Sequence, residues 1–246
     1  MFNRKTPLPK GSKKLIGAWT LYDWANSVYS LVISTAIFPI YYSEYIFANS
    51  DSILLFNMDI NRDTVISLVS ATSFLIIAFL SPLLSGIADY LGNKKSFMKF
   101  FVLMGSLSCI GLYWFELENI EFGLLFYMLA LIGLWGSLVF YNSYLPDITY
   151  PKQTNMVSAK GFTMGYIGSV ILLIVNLIMI TYYEQLNLSS EVQAMKYSFV
   201  LVGVWWLLFS QYSFYHLPRG NKGVKLPKNI IWNGFRELKG VYKIIR

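Results

Sequence analysis

The chain has 246 residues, of which 55% are hydrophobic and only 13% charged; soluble domains carry about a quarter charged residues, so this balance excludes an ordinary soluble fold and points to the membrane class. The net charge of +7 does not call for nucleic acid, because the basic residues are scattered over segments that all meet one leaflet, where anionic headgroups are the simpler counterions. A single Cys109 and a single His216 leave neither a disulfide nor a His/Cys metal pattern, and no cofactor or metal is expected.

Six apolar stretches, at 15–42, 64–84, 97–115, 122–144, 161–183 and 197–217, each reach the roughly 20 residues needed to cross a hydrocarbon core. Lipid offers backbone groups no partner, so each is predicted to be a helix. The expected fold is all-α: a polytopic bundle of six transmembrane helices. The first stretch is too long for the apolar region of a signal peptide and lacks an A-x-A site after it, so it is expected to remain in the protein. Loops between the stretches are short, except for the Asn- and Asp-punctuated segment 43–63.

Eighteen of the twenty Lys and Arg residues lie before the first stretch, between the second and third or, for Lys99, just inside the third, between the fourth and fifth, or after the sixth. Only Arg62 and Lys196 lie on the other side. The positive-inside rule then places both termini in the cytoplasm. The expected organisation is a basic cytoplasmic N-terminus at 1–14, the bundle at 15–217, and a basic cytoplasmic tail or interbundle linker at 218–246. In that tail Ile231, Trp232, Phe235, Leu238, Val241 and Tyr242 recur near helical spacing, as in an amphipathic helix lying on the membrane surface.

Asp23 is the one ionisable side chain well inside a stretch, where a carboxyl is costly unless it faces a cavity or a partner. Helical spacing sets Asp23, Asn26, Ser27, Ser30 and Ser34 along one stripe with Tyr22 and Trp19 beside it, while Val28, Leu31, Val32 and Phe38 point elsewhere. Such a stripe is expected to line a cavity, with Asp23 carrying a proton or contacting a cation. The bland alternative is an acid near the interface that only serves packing. Gly161, Gly165 and Ser169 recur every four residues, with Gly168 adjoining, the small-residue face of closely packed helices. Asn142, Tyr166 and Asn176 are secondary cavity candidates, Ser143 and Tyr141 serve either the cavity or neighbouring helices, and Trp205 and Trp206 are packing residues. No nucleophile with its base, metal cluster or phosphate-binding glycine loop is evident, so an enzyme is not expected.

The run WTLYDWANSVYSLVISTAIFPIYY at 19–42, followed by SPLLSGIADYLGNKKSF at 81–97, YNSYLPDI at 141–148 and VSAKGFTMGYIGSVILL at 157–173, resembles the vacuole-effluxer-like branch of the major facilitator superfamily, in the family's order. That resemblance implies about twelve spans in two pseudo-symmetric bundles that rock to give alternating access. This chain would equal the N-terminal bundle, with a C-terminal bundle as its partner in cis or in trans. It further implies a small-molecule substrate, amino acids among the candidates for efflux, proton-coupled or facilitated movement, and residence in a bacterial inner membrane. Gly86, Ala88, Asp89, Gly92, Lys94 and Lys95 resemble the superfamily's signature loop between helices two and three, with Asn93 and Tyr90 standing where it has basic residues. The resemblance makes Gly86, Asp89, Gly92, Lys94 and Lys95 a cytoplasmic gate, in which Asp147 is expected to meet Lys94 or Lys95. A non-transporting membrane assembly or interaction protein built from a half-transporter is the other reading.

Overall fold

The computed structural model describes residues 7–55, 58–91 and 93–219, with the backbone alone at 54, 55, 83 and 85–91. Helix α1 begins as a regular α-helix over Lys13–Val28. It continues without a break through a π-helical segment Tyr29–Ile37, an α turn Phe38–Ile40 and a second π segment Tyr41–Ile46. A hairpin follows, β1 Ser52–Leu55 pairing antiparallel with β2 Met58–Asn61, Ser52 opposite Asn61. Then come α2 Arg62–Leu91, α3 Lys94–Gly111, α4 Ile120–Ser143, α5 Pro151–Thr181 and α6 Glu191–His216, with short helical turns between α3 and α4 and between α4 and α5.

The chain is an all-α membrane bundle. Five segments, Arg62–Pro82, Lys94–Trp114, Leu117–Ile148, Pro151–Thr181 and Glu191–His216, are long and apolar enough to cross a membrane as uninterrupted helices. The regular part of α1 holds 16 residues, short of a crossing by itself, and the π segments carry its backbone onward. Its residues Val28, Tyr29, Val32 and Ile33 are wholly buried, so α1 forms the inner axis of the bundle.

Three boundaries differ from the sequence expectation. Segment 43–63 is not an irregular loop but the end of α1 and a hairpin. The segment resembling a signature loop is mostly helical backbone, because α2 runs on to Leu91 and α3 starts at Lys94. Helix α5 begins ten residues before its apolar stretch, with Pro151 at the first position, where its missing N–H is not needed. Hydropathy marks where lipid begins, and these helices extend past it.

Arg62 and Lys196, the two basic residues at the hairpin end among the described residues, each meet an acid there. Arg62 pairs with Asp51 at 3.5 Å and also donates to the carbonyl of Ser43 at 3.0 Å, while Lys196 pairs with Glu116.

Helix α1 packs on α5 and α6, α3 packs on α4 and α6, and α2 leans on α4. The α3–α4 crossing is a backbone contact: a Cβ on Gly133 would lie 2.5 Å from the Cα of Gly105, and one on Gly105 would strike the Trp206 ring at 2.4 Å. Glycine alone allows that approach. Helices α2 and α5 are the open edges, with 11% and 28% of their apolar windows buried against 50% and 56% in α3 and α4.

Candidate functional site

The seam between α1 and α5 holds the acid. Successive glycines of α5 lie directly over α1: a Cβ on Gly161 would sit 2.6 Å from Oδ2 of Asp23, one on Gly165 would sit 2.5 Å from Oγ of Ser27, and one on Gly168 would sit 2.9 Å from the carbonyl of Trp24. The small-residue stripe thus seats α5 against the polar turn of α1. Asp23 is buried in that seam, 7% exposed. Its Oδ2 accepts a hydrogen bond from the hydroxyl of Tyr141 on α4 at 2.8 Å. Among the described residues no Lys or Arg pairs with it.

Tyr141 is itself held in place. Its ring stacks on Trp19 at 4.2 Å and lies 5.0 Å from Tyr22, and its carbonyl accepts from the Trp19 indole at 3.0 Å. The acid is therefore met by a fixed hydroxyl with little freedom to turn away. Tyr22 is fully buried beside the polar ends of Asn26, Ser137 and Trp206, yet its hydroxyl, the Asn26 amide nitrogen and the Trp206 indole make no well-formed hydrogen bond. A buried polar group left in that state is costly.

One turn further along α1 the surface opens. Ser27, Ser30, Leu31 and Thr35 on α1 and Phe162, Tyr166 and Ser169 on α5 line a cavity of about 250 Å³. The Thr35 hydroxyl donates to the carbonyl of Ser30, five residues back, at 2.8 Å, the spacing a π-helix offers.

The expected stripe is thus divided. Asp23, Asn26 and Tyr22 lie inside the bundle, Ser27 and Ser30 line the cavity with Tyr166, and Ser34 turns to a different opening. Leu31 and Phe38, expected to point away, both line cavities, each four residues after a serine of the same cavity, Ser27 and Ser34, and so on the same helical face. Asn142 is exposed at the far end of α4 and lines neither cavity, and Asn176 is wholly buried with neither amide atom hydrogen-bonded. Thr35 and Phe162 carried no sequence signal, since each is an ordinary residue of an apolar stretch.

At the opposite end from the hairpin, Lys94 meets Asp147 at 3.0 Å and donates to the carbonyl of Ser143 at 3.2 Å. Lys95 is buried, its ammonium donating at 2.8 Å to the carbonyl of Phe214 in the last turn of α6, where a cation also meets the negative end of the helix dipole. The start of α3 thereby joins the ends of α4 and α6. Gly92 and the side chains of Gly86 and Asp89 lie outside the described residues.

The family described as vacuole effluxer Atg22 like matches residues 11–246, nearly the whole chain. The chain belongs to that family. It is similar to a protein of Bacillus subtilis (strain 168) described as an uncharacterized MFS-type transporter, YxiO, with 37% identity over 231 residues, covering 93% of this chain and 52% of the relative. An uncharacterized protein of Aquifex aeolicus (strain VF5) is 29% identical over 159 residues, covering 64% of this chain and 36% of that protein. The chain therefore spans about half the length, or less, of these curated relatives.

Proposed function

We propose that the chain is the N-terminal bundle of a secondary transporter that moves a small solute by alternating access, with Asp23 as its proton-coupling carboxyl. The observation that carries this reading is the setting of Asp23: a buried acid without a cationic partner among the described residues, one turn from an open cavity, on a seam of two helices that touch through glycine. Such an acid within a span is functional by default. A carboxyl held by one hydroxyl can lose or gain a proton as the seam tightens or parts, which would tie proton movement to rocking. Family membership and the MFS-type relative support transport as the activity, and amino acids are candidate solutes on the same ground. The partner is a second bundle, in cis or in trans, covering α2 and α5. Both termini then face the cytoplasm of a bacterial inner membrane, and the Lys94–Asp147 pair with Asp89 acts as an inner gate. No enzymatic step is assigned.

The test reconstitutes both bundles in vesicles with an imposed proton gradient and a panel of solutes. Asp23→Asn keeps the shape and should preserve downhill exchange while abolishing accumulation against a gradient, and the pH dependence of uptake should flatten. Gradient-driven uptake at the wild-type level by Asp23→Asn would defeat the coupling role.

A further inference from the structure

The cavity between α1 and α5, of about 250 Å³, has a wall of hydroxyls and rings, and among the described residues no Lys, Arg, His, Asp or Glu lines it. The charged residues around it are directed elsewhere. Asp23, one turn before Ser27, is buried under Gly161 and bonded by the Tyr141 hydroxyl at 2.8 Å. Lys160 lies on the far side of α5, roughly 180–240° round the helix from Phe162, Tyr166 and Ser169 at about 100° per residue.

The hydroxyls differ in what they have left to offer. Ser27 gives its proton to Oδ1 of Asn26 at 3.2 Å and Thr35 gives its own to the carbonyl of Ser30 at 2.8 Å, so each has only lone pairs for whatever enters. Ser169 is the reverse case. It is 2% exposed, and its hydroxyl has neither given a proton nor received one. A buried hydroxyl in that state is costly, and an oxygen bound in the cavity would relieve it. Phe162 and Tyr166, one turn apart on α5, are 65% and 72% exposed, so their ring faces are open to an occupant.

A wall that accepts at two positions and can donate at a third matches groups that do both, which are alcohols. An ammonium group only donates and a carboxylate only accepts, and either would give up water against a wall holding no counter-charge. The open rings suit the polarised C–H face of a saturated ring, which meets the negative face of an aromatic. The volume lies just under the range of about 300–1,000 Å³ typical of drug-sized ligands. We infer that this cavity holds an uncharged polyol the size of a single sugar ring, its oxygens on Ser27, Thr35 and Ser169 and its C–H face on Phe162 or Tyr166. Taking that polyol as the transported solute rests on the transporter reading, and it sets the chemistry of this wall against a zwitterion.

Glucose, myo-inositol and leucine separate the two chemistries at similar size. The full chain is placed in phosphatidylcholine nanodiscs, so that neither lipid nor detergent supplies a polyol, and binding is read by saturation transfer to the C–H protons of each probe. Glucose or inositol is expected to bind saturably and leucine more weakly. Ser169→Ala should weaken the bound polyol about fivefold at unchanged elution volume and with stability equal or higher, since removing an unpartnered hydroxyl relieves the fold. Thr35→Val, at an exposed position, should weaken it as well and carries the same test where Ser169→Ala folds poorly. Leucine binding as tightly as the polyols, failure of both polyols to bind, or full polyol binding by both variants overturns the inference. If the polyols fail while Asp23→Asn still uncouples leucine uptake, only the solute assignment is lost. If a polyol binds and its gradient-driven uptake survives Asp23→Asn, the coupling role of Asp23 is lost and the solute assignment stands.

Discussion

The bundle has two helix crossings built by the same device and filled differently. Where α3 meets α4, Gly105 and Gly133 bring backbones together under Trp206, and the surroundings are packed and largely apolar. Where α1 meets α5, Gly161 and Gly165 make an equally close approach, but what they cover is the carboxylate of Asp23 and the hydroxyl of Ser27. In lipid, close packing supplies helix association that water would drive by burying apolar surface. A glycine crossing is therefore first a structural device, and only the contents of the second make it a site. The same substitution at the two crossings should show that difference.

The largest effect is expected at the apolar crossing. Gly133→Ala drives a Cβ into the backbone of α3, which cannot turn aside as a side chain can, and should cost about 1–3 kcal/mol, read as loss of monodisperse folded protein in detergent. Gly161→Ala meets the end of a side chain instead, so a smaller loss of stability is expected, accompanied by displacement of Asp23 from Tyr141. Its signature is impaired gradient-driven uptake at near-normal expression, and equal losses of folded protein at both crossings would erase the contrast. Tyr141→Phe removes one hydrogen bond and keeps the ring stacked on Trp19. A stability change near the membrane average of about 0.6 kcal/mol should come with altered coupling, whereas a purely structural hydroxyl would leave coupling untouched.

The smallest effect is expected outside both crossings, at Lys94 and Asp147. This pair is partly exposed on the Asp147 side, so a double-mutant cycle with Lys94→Gln and Asp147→Asn should give about 0–1 kcal/mol. A much larger coupling energy would mean the pair acts in a drier setting than this structure shows.

Sequence legibility divides along similar lines. The bundle was readable, because membrane spans announce themselves by length and hydropathy: among the described residues five of the six stretches stand as helices long and apolar enough to cross, and the first, α1, passes from α-helical into π-helical winding. Asp23 was readable as an anomaly, since an acid in an apolar run has few innocent explanations. The pairing was not, because Tyr141, read only as serving either the cavity or neighbouring helices, lies over a hundred residues away and nothing local couples it to Asp23. The hairpin at Ser52–Asn61 was missed because its short strands sit among Asn and Asp residues that read as a loop. The face of α1 was misjudged at Leu31 and Phe38 because the stripe was drawn from polar side chains alone, although each stands four residues after one of its serines.

The change of winding within α1 has a consequence for how the chain tolerates insertions and deletions. A π segment is a helix carrying surplus residues relative to α-helical winding, so α1 holds slack between Tyr29 and Ile37 that the other long helices lack among the described residues. Removing a residue from a regular span turns everything beyond it by roughly 100°, given 3.6 residues per turn, and scrambles its faces. Removing one here would take up slack, rewinding the segment toward an α-helix while the flanking halves stay seated. Length differences among related proteins would be absorbed at this place, and alignments that force a gap elsewhere in α1 would misassign the serines that face each cavity.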